Sequence, residues 1–121
     1  MSVQLQIEEM PGYLTTKFTG ACVQEKAWRD FETIAERCKR ANKNKLLLNF
    51  MECHGEIFLA DRYLFAESAR IFAQFKIIKT AYVVRPEQVD AQKFGETVAL
   101  NRWINARVFT NVEDAEKWLL E

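Results

Sequence analysis

Histidine occurs once in this 121-residue chain, proline twice, cysteine three times and glycine four times, and each scarcity removes a class of protein. A lone His54 cannot build a histidine-rich metal centre. Cys22, Cys38 and Cys53 are odd in number and lack CxxC spacing, which argues against a disulfide frame or a zinc site and for reduced thiols. With so few glycines there is no glycine-rich phosphate loop and no nucleophile elbow, and no paired-carboxylate spacing appears. Seventeen basic residues balance seventeen acidic ones, so no net field draws nucleic acid or an anionic membrane. No apolar run approaches the roughly 18 residues of a membrane span. The opening Met1-Ser2-Val3-Gln4-Leu5-Gln6 has neither a basic leader nor an apolar stretch, so a cytoplasmic protein is expected. No cofactor or metal is implied.

What the chain does have is 49% hydrophobic residues, which excludes a disordered polypeptide and is enough for the core of one domain over residues 1–121. The stretch Leu46-Leu47-Leu48-Asn49-Phe50 is short, lacks a helical period and runs into a glycine-containing loop, Met51 to Glu56. It predicts a strand buried near the middle of a sheet.

Upstream, Val3, Leu5 and Ile7 alternate with Gln4, Gln6 and Glu8. Leu14, Thr16 and Phe18 alternate with Thr15, Lys17 and Thr19, and Pro11-Gly12 stands between the two sets. That is an antiparallel hairpin with Gly20 at its close. From about Gln24 to Asn42 the spacing turns helical, with Trp28, Phe31, Ile34, Ala35, Cys38 and Ala41 on one side. Arg37, Lys39, Arg40, Lys43 and Lys45 gather at the helix end. They read as a solvated last turn complementing the helix dipole, because Glu25, Asp30, Glu32 and Glu36 cancel them along the same helix.

A second helix is predicted from about Leu59 to Phe75. Its apolar residues form two stripes, Leu64-Ile71-Phe75 and Phe65-Ala69-Phe72, wider than the single band of about 100° that a surface helix needs. It must therefore touch a neighbouring helix, a ligand or a second subunit as well as the sheet. Ile77 to Val84 is the next strand. Pro86 starts a helix reaching about Asn101 that turns Ala91, Phe94 and Val98 inward. Ile104 to Phe109 is the last strand, with Ile104, Ala106 and Val108 on one face and Asn105 and Arg107 on the other. Thr110-x-x-Glu113 is a capping box for a terminal helix bearing Ala115, Trp118 and Leu119, with Asn111 as the alternative cap.

The expected order is ββαβαβαβα: an α/β protein with a five-stranded mixed sheet, only the first strand antiparallel, and helices unequally split between the faces. This order, with Val98-Ala99-Leu100-Asn101-Arg102 and the run from Ala106 to Leu119, resembles the bacterial SpoIIAA-like branch of the STAS domains, named for sulfate transporters and anti-sigma-factor antagonists. Asp61-Arg62-Tyr63 fits the same branch. The resemblance implies a STAS-like, non-catalytic module that binds a protein or ligand. In regulatory members a serine at the start of the helix after the central strand is phosphorylated. Here Gly55-Glu56-Ile57-Phe58-Leu59-Ala60-Asp61 holds neither Ser nor Thr, and Ser68, two turns on, does not replace it.

Three candidate sites emerge. In open α/β sheets ligands lie beyond the carboxyl ends of the parallel strands, which points to His54, Glu56 and Arg85 for ligand or partner contacts. Phe58, Phe65, Phe72 and Trp103 exceed what one sheet hides and mark an apolar pocket or subunit interface. Cys53 and His54 lie among Glu52, Glu56 and Asp61, yet chain neighbours rarely aim at one point, so a Cys/His enzyme is the distant alternative. The leading expectation is a homodimer open to a regulatory protein or a ligand, with no nucleic acid or membrane partner. The second is a carrier of a small apolar or lipid-like ligand.

Overall fold

The computed structural model describes residues 4–21, 24–54, 70–85 and 106–121. Five strands form one sheet in the order β1-β2-β3-β4-β5. They are β1 (Gln4–Met10), β2 (Tyr13–Ala21), β3 (Lys45–His54), β4 (Lys79–Val83) and β5 (Ala106–Phe109). β1 runs antiparallel to β2, with Met10 opposite Tyr13 across the Pro11-Gly12 turn; every later pairing is parallel. β3 is central, as its apolar run requires. The mixed sheet with its one antiparallel strand is the one expected from the sequence.

Gly12 carries φ +89, and a Cβ there would stand 2.8 Å from the Leu120 side chain. The turn therefore needs glycine for conformation and for space.

Three helices flank the sheet among the described residues. α1 (Gln24–Arg40) and the helical residues 70–74, called α2, pack on one face. There Leu14, Phe18, Leu46, Leu48, Phe50 and Tyr82 meet Phe31, Ile34, Ala35 and Cys38 of α1 and Ile71 and Phe72 of α2. Phe18 stacks on Phe50 with ring centroids 4.5 Å apart. Phe31 meets Phe72 edge to face at 5.5 Å. The buried Thr16 hydroxyl on this face donates to the Leu47 carbonyl at 3.1 Å, so its burial leaves no hydroxyl donor unpaired. The other face is covered by α3 (Val112–Leu120), which lays Ala115, Trp118 and Leu119 over Tyr13, Leu47, Ala81 and Val83. The described helices are thus split two to one, in keeping with the expected unequal division between the faces.

α1 and α2 end in the same way. Asn42 (φ 57) and Lys76 (φ 61) are left-handed. Lys43 N–H donates to Cys38 O and Ile77 N–H to Phe72 O, each with the adjoining bond that spans three residues, Asn42 N–H to Lys39 O and Lys76 N–H to Ala73 O. These are Schellman closures made without glycine. They place both helix ends beside each other, where Ile78 N–H donates to Asn44 O at 2.7 Å.

At α3 the alternative cap is the one used. Asn111 Oδ1 accepts from Asp114 N–H at 2.8 Å, and Asn111 Nδ2 donates to Asp114 Oδ2 at 3.0 Å. The Thr110–Glu113 box is displaced by one residue, because Asn111 takes the extended conformation (φ −150, ψ 156) that a cap needs. The predicted helix between Pro86 and Asn101 lies outside the described residues.

Candidate functional site

The carboxyl ends of the parallel strands are assembled by a break in register. Lys17 pairs with Asn49, but Thr19 pairs with Glu52, so β3 holds one more residue than β2 across this interval. Asn49 explains how: its Oδ1 accepts the Met51 N–H at 3.0 Å, giving the backbone a side-chain partner where the ladder is interrupted. An extra residue inverts the alternation beyond it. Cys53 consequently joins Phe50 in the core beneath the helices and is fully buried. Glu52 turns out to solvent and pairs with Lys17 at 3.1 Å.

Strand alternation separates the chemistry that the sequence clustered, and the bulge decides that Cys53 is the residue turned inward. Glu52 and Cys53 are neighbours that leave the strand in opposite directions. A nucleophilic thiol must meet its substrate and a base, and the Cys53 side chain has no exposed surface. What Cys53 presents to the strand ends is its carbonyl, which accepts from Arg85 Nη2 at 2.8 Å. Arg85 is half-buried just beyond β4 and ties that end to the end of β3. The backbone of His54 closes the β2–β3 ladder opposite Ala21. Among the described residues no group of His, Cys, Asp and Glu is arranged to hold a metal ion.

Of the sequence-derived site residues, Arg85 is placed at the strand ends. Phe72 is only 2% exposed, turned into the chain's own core against Phe31. Ile71 and the partly buried Phe75, members of the other stripe, belong to the same core. For the described end of that helix, the extra apolar circumference is taken up by the neighbouring helix. The His54 side chain, Glu56, Phe58, Phe65 and Trp103 lie outside the described residues, as do Asp61-Arg62-Tyr63 and Ser68.

Sequence reasoning missed the bulge and the use of Lys79. The signal for the first was Asn49 followed by two consecutive apolar residues, which breaks a strand's alternation. Lys79 stands in an otherwise largely apolar strand. In the fold its Nζ donates to Trp118 O at 2.8 Å and lies 5.0 Å from the indole centroid, holding the end of α3.

One thiol and one phenol are shifted by their surroundings. Burial pushes the Cys38 thiol up to about 12. Burial, then the charge and hydrogen bond of Glu116, then the charge of Glu8, push Tyr13 up to about 12. Both stay protonated through the physiological range and are structural.

The sheet order, the single antiparallel strand and the described helices on both faces define a SpoIIAA-like, STAS-type α/β fold. The chain is similar over 99% of its length, and 96% of the other, to an anti-sigma factor antagonist from Mycobacterium paratuberculosis, with a TM-score of 0.69 and 12% identity. It is also similar to an uncharacterised protein with a SpoIIAA-like fold from Shewanella loihica, over 97% of this chain and 93% of that one, with a TM-score of 0.53 and 18% identity. No family model matches the sequence, and no curated protein matches it. At these identities the likeness is one of fold. No described helix is long and apolar enough to cross a membrane.

Proposed function

We propose that the chain is a non-catalytic regulatory module of the cytoplasm that acts by binding another protein and by associating with itself. The observation that carries this reading is the near full-length likeness to an anti-sigma factor antagonist. The strand ends support it. They offer a cation, Arg85, fixed on a main-chain carbonyl, while the nearby thiol is sealed in the core.

In this reading His54, Glu56 and Arg85 meet the partner, and Phe58, Phe65 and Trp103 supply apolar contact between copies. Because Gly55 to Asp61 holds no hydroxyl residue, binding is not switched by phosphorylation at that helix start. Native mass spectrometry of the purified protein tests the proposal. A dimer, or a complex with a second protein, that retains no small molecule supports it. A monomer carrying one equivalent of an apolar small molecule overturns it in favour of a carrier.

A further inference from the structure

The opposite end of the sheet, where β3 and β4 begin, lies away from Arg85 and the other strand-end residues of that reading and shows a different character. Two Schellman closures deliver the ends of α1 and α2 there, joined by the bond from Ile78 N–H to Asn44 O. With them come Lys39 and Arg40 from the last turn of α1, Lys43 beyond it, and Lys76 at the close of α2. Lys45 and Lys79 then stand directly opposite each other in the β3–β4 ladder, a like-charge pair that costs stability. Lys79 is committed to the end of α3; Lys45 remains beside it.

In α1, Asp30 is buried in the body of the helix and Glu32 stands two turns back, while Glu36 lies one turn before Lys39 and Arg40 without an ion pair to either. Among the described residues no carboxylate pairs with Lys39, Arg40, Lys43, Lys45 or Lys76. Both helix dipoles also present their negative ends here, which lowers the cost of gathering cations. Amid this charge lies Ile78, 53% exposed, one of the two large apolar side chains that stand out among the described residues.

We propose that this end is a second interaction surface, and that its occupant is an acidic protein segment carrying an apolar side chain, with the carboxylates on Lys39, Arg40, Lys43 and Lys76 and the apolar group on Ile78. Charge complementarity selects an anionic partner. Ile78 selects a polypeptide over a nucleic acid, whose phosphate backbone has nothing apolar to set against it, and a zero net charge provides no wider field for either nucleic acid or membrane. Lysines and a branched aliphatic rim are suited to modest, salt-sensitive affinity.

The test is an amide chemical-shift titration of the full chain with a twelve-residue peptide of Glu, Asp, Ile and Leu, beside a peptide with the acids replaced by Gln, a thymidine dodecamer and phosphatidylserine vesicles. The acidic peptide is expected to shift the amides of Lys43, Asn44, Lys76 and Ile78, and to bind at least tenfold more weakly at 0.5 M salt. Lys76→Glu should weaken it about fivefold and Ile78→Ser about threefold, whereas Lys17→Glu, the same charge change elsewhere, leaves it within twofold. All these side chains are partly or wholly exposed, so the variants fold. Equal binding of the Gln peptide, tighter binding of the dodecamer or the vesicles, or shifts away from this end would each overturn the proposal. The Arg85 end takes no part in the readout, so failure here leaves the proposed function standing.

Discussion

The two faces of the sheet are held in different ways. On the α1/α2 face, Leu46, Leu48 and Phe50 press against aromatic and aliphatic side chains, and both helices close on their own backbones. On the α3 face a single described helix lies over Leu47, Ala81 and Val83, and its last turn is held by a cation from the sheet itself. Lys79 and Arg107 lie over the Trp118 ring at 5.0 and 5.8 Å, and Phe109 meets the same ring. One face is stabilised by depth of burial. The other buries Leu47, Ala81, Val83 and Leu119 as completely, and adds one aromatic residue among cations, with Thr15 and Lys17 half-exposed on the same face.

The difference is broken most directly by deleting one ring. Phe31 is fully buried and touches Phe72, so Phe31→Ala should lower unfolding free energy by about 4 kcal/mol. On the other face Leu119→Ala should cost about 2 to 3 kcal/mol, near the lower end for a buried leucine, because a single covering helix can settle into the space. Urea unfolding of both variants measures the gap, and equal losses would erase the distinction.

Alkaline pH probes both faces together, through Cys38 on one and Tyr13 on the other. Each has a folded pKa raised above its ordinary value, from 9.0 and 10.0 to about 12. Above pH 9 the unfolded chain releases the Cys38 proton while the folded chain keeps it, and above pH 10 Tyr13 adds to the effect. Stability is therefore complete below pH 9 and falls as pH rises toward 12, by about 1.4 kcal/mol per pH unit for each titrating group. By pH 10.5 the loss should be about 2 to 3 kcal/mol. Cys38→Ala should remove the part that begins at pH 9, and Tyr13→Phe the part that begins at pH 10, as read from denaturant midpoints across that range.

The same faces explain what was legible in the sequence. Period-two alternation found the hairpin and the α1/α2 face, because burial on one side and solvent on the other leave a pattern in residue type. The stripe Phe31, Ile34, Ala35 and Cys38 was legible for the same reason and is wholly buried. The bulge left only the break in alternation at Phe50-Met51, since it is held by one hydrogen bond between Met51 and Asn49, and it reverses the facing of the residues at the end of β3. The position of Arg85 at the strand ends was legible, because it directly follows an apolar strand. The fate of Cys53 was missed because a place at a strand end says nothing about which way a side chain turns.

Lys79→Met tests whether the cation on the α3 face matters. It removes a 2.8 Å charge-assisted bond and a cation over an indole, together worth about 2 kcal/mol, and relieves the repulsion from Lys45, which returns part of it. A net loss of about 1 kcal/mol is expected, measured by thermal or urea unfolding. No loss would mean that Trp118 and Leu119 hold α3 unaided.

The smallest effect has the opposite sign and belongs to the α1/α2 face, whose self-closing helices carry strain that α3 avoids. Lys76 holds φ 61, where its Cβ crowds the backbone by about 1 kcal/mol relative to glycine, and it is exposed with no described bond to lose. Asn42 holds φ 57 in the equivalent place, but its short amide tolerates that region. Lys76→Gly should thus stabilise the protein by somewhat under about 1 kcal/mol, part of the strain relief being offset by the greater freedom of glycine in the unfolded chain. Asn42→Gly should change it by no more than a few tenths. Paired urea melts decide the matter. A gain at both positions would place the strain in the Schellman closure itself, whereas a gain at Lys76 alone assigns it to the side chain.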